Sequence, residues 1–486
     1  MDRLGLPRSP LRRRRVSDPA PTLDRVPVTV LWLRRDLRLA DSPALLAAVA
    51  GAGADGVLPL FVLDPALLGP AGPTRTAWLF RSLAAWSEST GGALVVRSGD
   101  PARVVPAVAA EVGADAVHVT ADAGPHGRRR DDAVEAALAA DGRALVRTGT
   151  PYAIGPGTLL TGGGTPFAVY SAFDRAWVAH GHPEPAPSPS GDVWLRGPAG
   201  EALPPEPDLG GLVLPPAGEA AALARWAEFT ERISTYDTDR DRPDRDGTSQ
   251  LSVHLKYGEV HPRTLLAALP GLVVAGARPE GVETFRKELV WREFYADVLW
   301  NRPETAREYY RPQLEAMQYA DPSSSGEAAE QLAAWEEGRT GFPFVDAGLR
   351  QMRAEGWMHN RVRMVVASFL VKDLHLDWRV GARVFMRWLR DGDLASNNHG
   401  WQWVAGSGTD AAPYFRIFNP VTQGQKFDPD GDYVRRYVPE LAHLRGRAVH
   451  EPWSAPDGYA HGYPQRIVDH ATERAESLAR YAAVRD

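Results

Sequence analysis

Short apolar runs alternate with helix-period stretches through the first third of the chain, and helix-period stretches dominate the remainder. Val28–Leu33, Val57–Leu63, Ala93–Arg97, Ala116–Thr120 and Ala144–Arg147 are such runs, bounded by turn residues as strands buried on both faces are. Between them, residues 42–51, 74–90, 101–112 and 129–141 place apolar side chains at helical spacing. That alternation predicts a doubly wound parallel-sheet α/β domain over 28–155. Residues 156–218 read as an interdomain connector, and their part from 183 onward is rich in Pro, Gly and Glu with no periodicity. From 219 to 486 the pattern is helical with few strand signals, and nine of the fifteen Trp fall in 291–486, so this all-α half is expected to carry the chemistry. Residues 1–27 contain Arg12 to Arg15 and several Pro but no apolar segment, which predicts a disordered basic tail and no signal-peptide core.

Composition narrows the function classes. With 486 residues, 44% hydrophobic and 24% charged, the chain is expected to form two to three ordinary globular domains. The formal charge is 55 − 61 = −6, so a polyanionic partner must be met by a local basic face. Only four of the 55 basic residues are Lys (Lys256, Lys287, Lys372 and Lys426), and with so much Ala, Gly and Pro the Arg excess reads as a GC-rich genome, so Arg abundance alone is no evidence for nucleic acid. The absence of Cys excludes disulfides, thiolate metal sites and Cys nucleophiles, and no metal site is expected. No uninterrupted apolar run is long enough to span a bilayer, so a cytoplasmic monomer without membrane contact is expected.

Gly51-Ala-Gly-Ala-Asp-Gly56 has the letters of a dinucleotide fingerprint but follows a helix and precedes a strand, the reverse of what a pyrophosphate turn requires. The turn after the first strand, Arg34-Arg-Asp-Leu-Arg38, is bulky and charged, which argues against NAD. The densest stretch is Asp391-Gly-Asp-Leu-Ala-Ser-Asn-Asn-His-Gly-Trp-Gln-Trp403, with two carboxylates, two indoles and several amides. On a helix Trp401 and Trp403 point roughly 200° apart, so they face different neighbours, and Asn397 shares the side of Trp401. Glu288 with Trp291, and Asn360 with Met364, each share one helix face and each pair a polar group with an apolar surface. That combination suits a flat heteroaromatic ligand whose edge is read and whose faces are stacked. Thr248-Ser-Gln-Leu-Ser252 predicts a helix N-terminus able to hold a pyrophosphate. Residues 350–390 hold nine basic and three acidic side chains, a local +6 that suits a phosphate backbone.

Taken in order, Arg34–Arg38, Tyr236-Asp-x-x-Arg240, Thr248–Ser252, Gly258-Glu-Val-His-Pro-Arg263, Trp357-Met-His-Asn-Arg-Val-Arg-Met364, Asp391–Trp403, Thr409-Asp-Ala-Ala-Pro-Tyr-Phe-Arg-Ile-Phe-Asn-Pro420 and Thr422-Gln-Gly-Gln-Lys-Phe427 resemble the photolyase/cryptochrome family from about residue 28 to about 482. The likeness is greatest to its class I members acting on cyclobutane pyrimidine dimers. The resemblance implies light-driven repair of UV-damaged DNA by reduced FAD. It implies FAD contacts at Tyr236, Thr248, Ser249, Gln250, Leu251, Ser252, Glu288, Arg292, Trp357, Asn360, Arg363, Asp391, Gly392, Asp393 and Asn397. It assigns dimer and DNA binding to Glu288, Trp291, Asn360, Arg361, Met364 and Trp403, and an ion pair beside the flavin to Arg363 and Asp391. Asn397, opposite flavin N5, favours repair, where plant and animal cryptochromes carry Asp and Cys; a cryptochrome-like photoreceptor is the alternative. Trp401 and Trp378 match the inner members of the family's electron chain, but Ser325 stands where the outer Trp is expected, so either Tyr319 or Trp335 substitutes or photoreduction is inefficient while repair by already reduced flavin is unaffected. Gly99-Asp100-Pro101 resembles deazaflavin-binding members and Ala121–Arg130 lacks the folate-binding pattern, which implies 8-hydroxy-deazaflavin over methenyltetrahydrofolate as antenna. Asn360 and Met364 stand where (6-4) photolyases place His; neither titrates, so cyclobutane dimers are the expected lesion, and His359 and His399 are expected to be structural.

Overall fold

A computed structural model describes residues 28–53, 56–410 and 415–484; the basic tail at 1–27 lies outside them. Five parallel strands, β1 (Thr29–Leu33), β2 (Val57–Leu63), β3 (Val95–Ser98), β4 (Ala116–Val119) and β5 (Ala144–Arg147), lie in the order β3-β2-β1-β4-β5. Thr29 pairs with both Val57 and Ala116, so the strand order reverses between β1 and β4. Every residue of β1 and β2 is buried, because helices cover both faces: Pro43–Gly51 and Pro73–Ser89, with Pro101–Glu111 and Pro125–Ala140. The sheet is thus the doubly wound one that the alternating pattern implies.

The crevice at the carboxyl ends of β1 and β4 is where such sheets usually bind ligands. Here the chain's own charged side chains pair with one another. Arg34 pairs with Asp131 at 2.5 Å, Arg130 pairs with Asp131 and Asp122, and the Thr120 hydroxyl donates to Asp36 at 2.6 Å. The charged turn after β1 is therefore internal, not a solvated loop, with Asp36 and Arg38 fully buried.

Residues 193–214 run against the sheet domain: Leu195 donates to Val57 O, Glu201 N donates to Val96 O, and Leu212 and Leu214 enter the core. The connector holds one element that its proline content hides, the helix Tyr170–His180. Tyr170, Phe173 and Trp177 recur at i, i+3 and i+7 along it and pack with Phe229, Phe285 and Phe294 of the helical half.

That half contains the long helix Pro279–Asn301 and a second core built by Pro343–Glu355, Asn360–Lys372, Trp378–Trp388 and Leu394–Ala405. Two charged links join the halves. Arg35 reaches Asp393 at 2.7 Å, and buried Asp41 accepts from Arg263 at 2.6 Å and faces His261 at 3.3 Å. Among the described residues no helix is long and apolar enough to cross a membrane.

Candidate functional site

The four helices Ser252–Tyr257, Pro279–Asn301, Asn360–Lys372 and Leu394–Ala405 converge on one cavity of about 520 Å³. Its wall includes Thr248 to Ser252, Arg292, Trp357, Arg363, Asp391, Gly392, Asp393 and Asn397 at one side, and Glu288, Trp291, Asn360, Arg361, Met364 and Trp403 at the other. Tyr236 and Trp401 line it as well. Residues spread over 168 positions of sequence thus meet around a single space, and every residue assigned to cofactor or lesion by resemblance is in its wall; of the two electron-chain residues Trp401 is in it and Trp378 is not.

The cradle is built locally. Gln250 takes a positive φ of 51°, which turns the chain so that Leu251 leads into the helix Ser252–Tyr257. The Ser252 hydroxyl donates to Asp391 at 2.7 Å, and Arg363 reaches the same carboxylate at 2.8 Å. Burial works to raise the Asp391 pKa, but the Arg363 guanidinium overcomes it and holds the group ionised below its ordinary value. Asp393 caps Leu394–Ala405 by accepting from Ser396 N. It is half-buried, and although desolvation works to raise its pKa, Arg35 and Arg292 hold its carboxyl down to about 2. Lys256, in the same wall, is pushed down to about 7 by burial and by neighbouring Arg75 and Arg35.

On the helix Leu394–Ala405, Asn397 Nδ2 donates to Ala382 O at 3.2 Å and to Asn398 Oδ1 at 2.8 Å. Its side-chain oxygen is thereby the atom offered to the cavity. Trp401, one turn on, packs against Phe385 at 4.9 Å and Trp335 at 6.3 Å, and a Cβ at Gly381 would fall 2.1 Å from its ring. Trp403 turns to another neighbour and donates from Nε1 to Asp410 O at 3.2 Å, so the two indoles face apart as their spacing requires.

At the other end Glu288 meets Arg240 at 2.8 Å. Burial pushes its pKa up, while Arg240 pulls it down. Arg361 is held by Asp241 at 2.8 Å and stays in the cavity wall. Trp291 is backed by Tyr170, stacked flat at 3.6 Å and 4°. Tyr170, Arg240 and Asp410 are site residues without a role in the sequence expectation, although Arg240 and Asp410 both lie within runs that resemble the family.

The local +6 is mostly not a free phosphate-binding stripe, which corrects the sequence expectation. Arg350, Arg361, Arg363, Arg379 and Arg387 each reach a carboxylate, and Lys372 and Arg390 are buried. The charge count is blind to acidic partners that are distant in sequence, such as Asp241 and Glu440. His359 caps the helix Asn360–Lys372 through Nδ1, and His399 lies between Thr305 and the Ala395 carbonyl; burial lowers both to about 4. Ser325 caps the helix Gly326–Glu337. Trp378 is buried with Tyr309 edge-on at 6.0 Å.

The sequence of residues 29–190 matches the family model described as DNA photolyase, and residues 285–483 match the one described as the FAD binding domain of DNA photolyase. A deoxyribodipyrimidine photo-lyase of Agrobacterium fabrum is 41% identical over 94% of this chain and 98% of its own length. The chain belongs to the DNA photolyase family. Among solved family structures, a bacterial class III photolyase from Agrobacterium tumefaciens superposes with a TM-score of 0.85 at 40% identity, covering 96% of this chain and 99% of that one. A Synechocystis cryptochrome superposes with a TM-score of 0.81 at 25% identity, covering 94% and 100%. The photolyase fold is thus shared by repair and cryptochrome members, and the side chains in the cavity must separate them.

Proposed function

We propose that this photolyase-family chain repairs cyclobutane pyrimidine dimers in UV-damaged DNA under blue light. The observation that carries the reading is the continuity of the cavity: a charged cradle and an aromatic, amide-rich pocket share one wall. The residues fit FAD. Thr248 to Ser252 end in a helix whose first N–H groups suit a pyrophosphate, Arg292 and Trp357 border the same space, and the Arg363–Asp391 pair is fixed by Ser252. Asn397 offers an oxygen suited to accept from a ring N–H. Bound in reduced form, the flavin supplies light absorption and the electron that opens the dimer.

The chain's own part is binding and electrostatics. Trp291 and Trp403 give apolar surfaces for a flipped pyrimidine pair, Asn360 and Glu288 read its polar edge, and Met364 fills the space between. No residue of this set, Glu288 apart, titrates, which suits a reaction needing electron injection and return without a general acid. A signalling role on the same fold is the alternative; the Asn at 397 and the full set of pocket residues favour the enzyme. We read the α/β domain as the antenna site for 8-hydroxy-deazaflavin, supported by Gly99-Asp100-Pro101, although Asp100 also caps Pro101–Glu111 through Ala102 N. The enzyme is read as a cytoplasmic monomer.

The test is dimer loss from irradiated oligonucleotides by the purified, flavin-loaded, reduced protein under blue light. Absence of light-dependent loss would leave the signalling reading. Reconstitution with deazaflavin that gives no new absorption band and no energy transfer would remove the antenna assignment.

A further inference from the structure

The two indole walls of the lesion pocket are carried on different helices, Trp291 on Pro279–Asn301 and Trp403 on Leu394–Ala405. Neither helix dictates the other's ring orientation. A stack that holds a flipped base must fix both rings, since a displacement of an ångström forfeits much of the contact.

One residue touches the supports of both. Asp410 lies in the cavity wall and holds a φ of 49°, a left-handed conformation that Asp tolerates better than most non-glycine residues. Its carbonyl accepts from Trp403 Nε1 at 3.2 Å. Its N–H donates to Ala168 O at 3.1 Å, two residues before Tyr170; burial raises its carboxyl pKa, and the Tyr170 N–H facing it works the other way. Tyr170 in turn lies flat on Trp291 at 3.6 Å, and its hydroxyl donates to Lys287 O at 2.9 Å, on the helix that bears Trp291. The segment before Tyr170 is tied off on itself: Thr161 N donates to Thr165 O and Gly164 N to Thr161 O, both at 2.8 Å. Phe167 packs edge-on to Phe173 at 6.0 Å, so Ala168 is anchored from both sides. A part of the chain that reads as mere connector therefore reaches into the pocket.

From this arrangement we infer that Asp410 and Tyr170 are positioning residues that set the spacing and tilt of Trp291 and Trp403, and so the selectivity for a stacked pyrimidine pair over undamaged DNA. Asp410 does this with two backbone hydrogen bonds and a carboxylate that faces the Tyr170 N–H; Tyr170 does it with its ring. The inference rests on the reading of the cavity as a lesion pocket.

The side chains give a discriminating set of variants. Asp410→Asn keeps an acceptor and the tolerance for positive φ. Asp410→Gly keeps the φ and both backbone bonds but no side-chain acceptor, and Asp410→Ala loses the acceptor and the tolerance for positive φ together. Tyr170→Phe keeps the stack, and Tyr170→Leu removes it. Binding of a fluorescent duplex with one cyclobutane dimer is followed in the dark by anisotropy, beside the undamaged duplex and the flavin absorbance of each variant. The expected result is about tenfold weaker dimer binding for Asp410→Ala, Asp410→Gly and Tyr170→Leu, as for a lost hydrogen bond to a charged group or a lost stack. Asp410→Asn and Tyr170→Phe stay within about threefold of the parent, and undamaged-duplex binding and flavin content stay unchanged in all five. Dimer affinity at the parent's level in Asp410→Ala or Asp410→Gly would overturn the proposal, as would equal weakening on undamaged DNA or failure of Asn to rescue. Amide exchange supplies a readout without DNA: peptides covering residues 161–170 exchange faster in Asp410→Ala than in Asp410→Asn. If the parent itself shows no preference for dimer DNA, the lesion-pocket reading fails while the exchange result still reports whether Asp410 holds the 161–170 segment. Unchanged exchange in Asp410→Ala would sink the positioning role by itself.

Discussion

Truncating Trp291 to Ala separates what this side chain does for the fold from what it does for the lesion. One face of the indole is already taken by Tyr170, and its edges meet Phe294 at 5.8 Å and Tyr295 at 5.5 Å. The remaining face and edge border the cavity. Stacking of one base on an aromatic side chain is worth about 1–3 kcal/mol, so Trp291→Ala should weaken dimer binding by about 5- to 150-fold. The lost Tyr170 stack, about 0.5–1.5 kcal/mol, is an intramolecular term and appears as lower stability, not lower affinity. Trp291 is half-buried, so the whole stability loss should stay below the ~3–5 kcal/mol of a fully buried Trp→Ala change. Flavin content should hold, because Thr248 to Ser252 and the Arg363–Asp391 pair stand on other elements. The assay is dark anisotropy with single-dimer and undamaged duplexes, beside flavin absorbance and urea unfolding. Dimer affinity within twofold of the parent, or an equal loss on undamaged DNA, would refute the placement of the dimer against this ring.

Three further outcomes are expected. Asp393→Asn keeps the helix cap but removes the charge that Arg35 and Arg292 hold down to about 2. A carboxylate depressed from an unfolded value near 3.9 contributes stability above that pH and loses it as pH falls through the folded value, so the variant should be less stable by about 2 kcal/mol at pH 7 and by roughly half that at pH 3; equal urea midpoints at pH 7 would contradict the pairing. Trp401→Phe should abolish flavin photoreduction without changing dark dimer binding, and Tyr319→Phe should slow it more than Trp335→Phe, because Trp335 is fully buried whereas half-buried Tyr319 neighbours Tyr309, which lies against Trp378; the reverse order would route the electron through Trp335. Oligonucleotides with one lesion each should show repair of the cyclobutane dimer and none of the (6-4) product, and full dimer repair by Glu288→Ala would remove Glu288 from the site.

Local sequence carried the fold well wherever burial is two-sided. β1 and β2 are covered on both faces, so their residues form unbroken apolar runs whose ends fall within a residue of the observed strands. β3 begins two residues later than its apolar run, because Gly91 and Gly92, both at positive φ, still belong to the turn that precedes it. The helix Tyr170–His180 escaped because the proline-rich stretch after it colours the whole segment, although Tyr170, Phe173 and Trp177 spell its buried stripe.

The site divides by the range of its interactions. Residues that lie in dense motifs, such as Asn397, Trp401 and Trp403, are legible because one helix places all three. Electrostatic partners are not: Arg35 and Asp393 are 358 positions apart, and Arg361 finds Asp241 across 120. A basic side chain already paired in the fold contributes little field to solvent, so a count of charges over 350–390 overstates what a phosphate would feel. Selectivity for DNA in this photolyase must then come chiefly from the shaped aromatic pocket, not from a broad basic face. That places the burden of damage recognition on base flipping and stacking, where a dimer's weakened pairing lowers the cost of extrusion by a few kcal/mol. It follows that raising salt should weaken undamaged-duplex and dimer binding with similar shallow slopes, leaving their ratio nearly constant; a steep slope confined to dimer DNA would mean that phosphate contacts, not stacking, make the distinction.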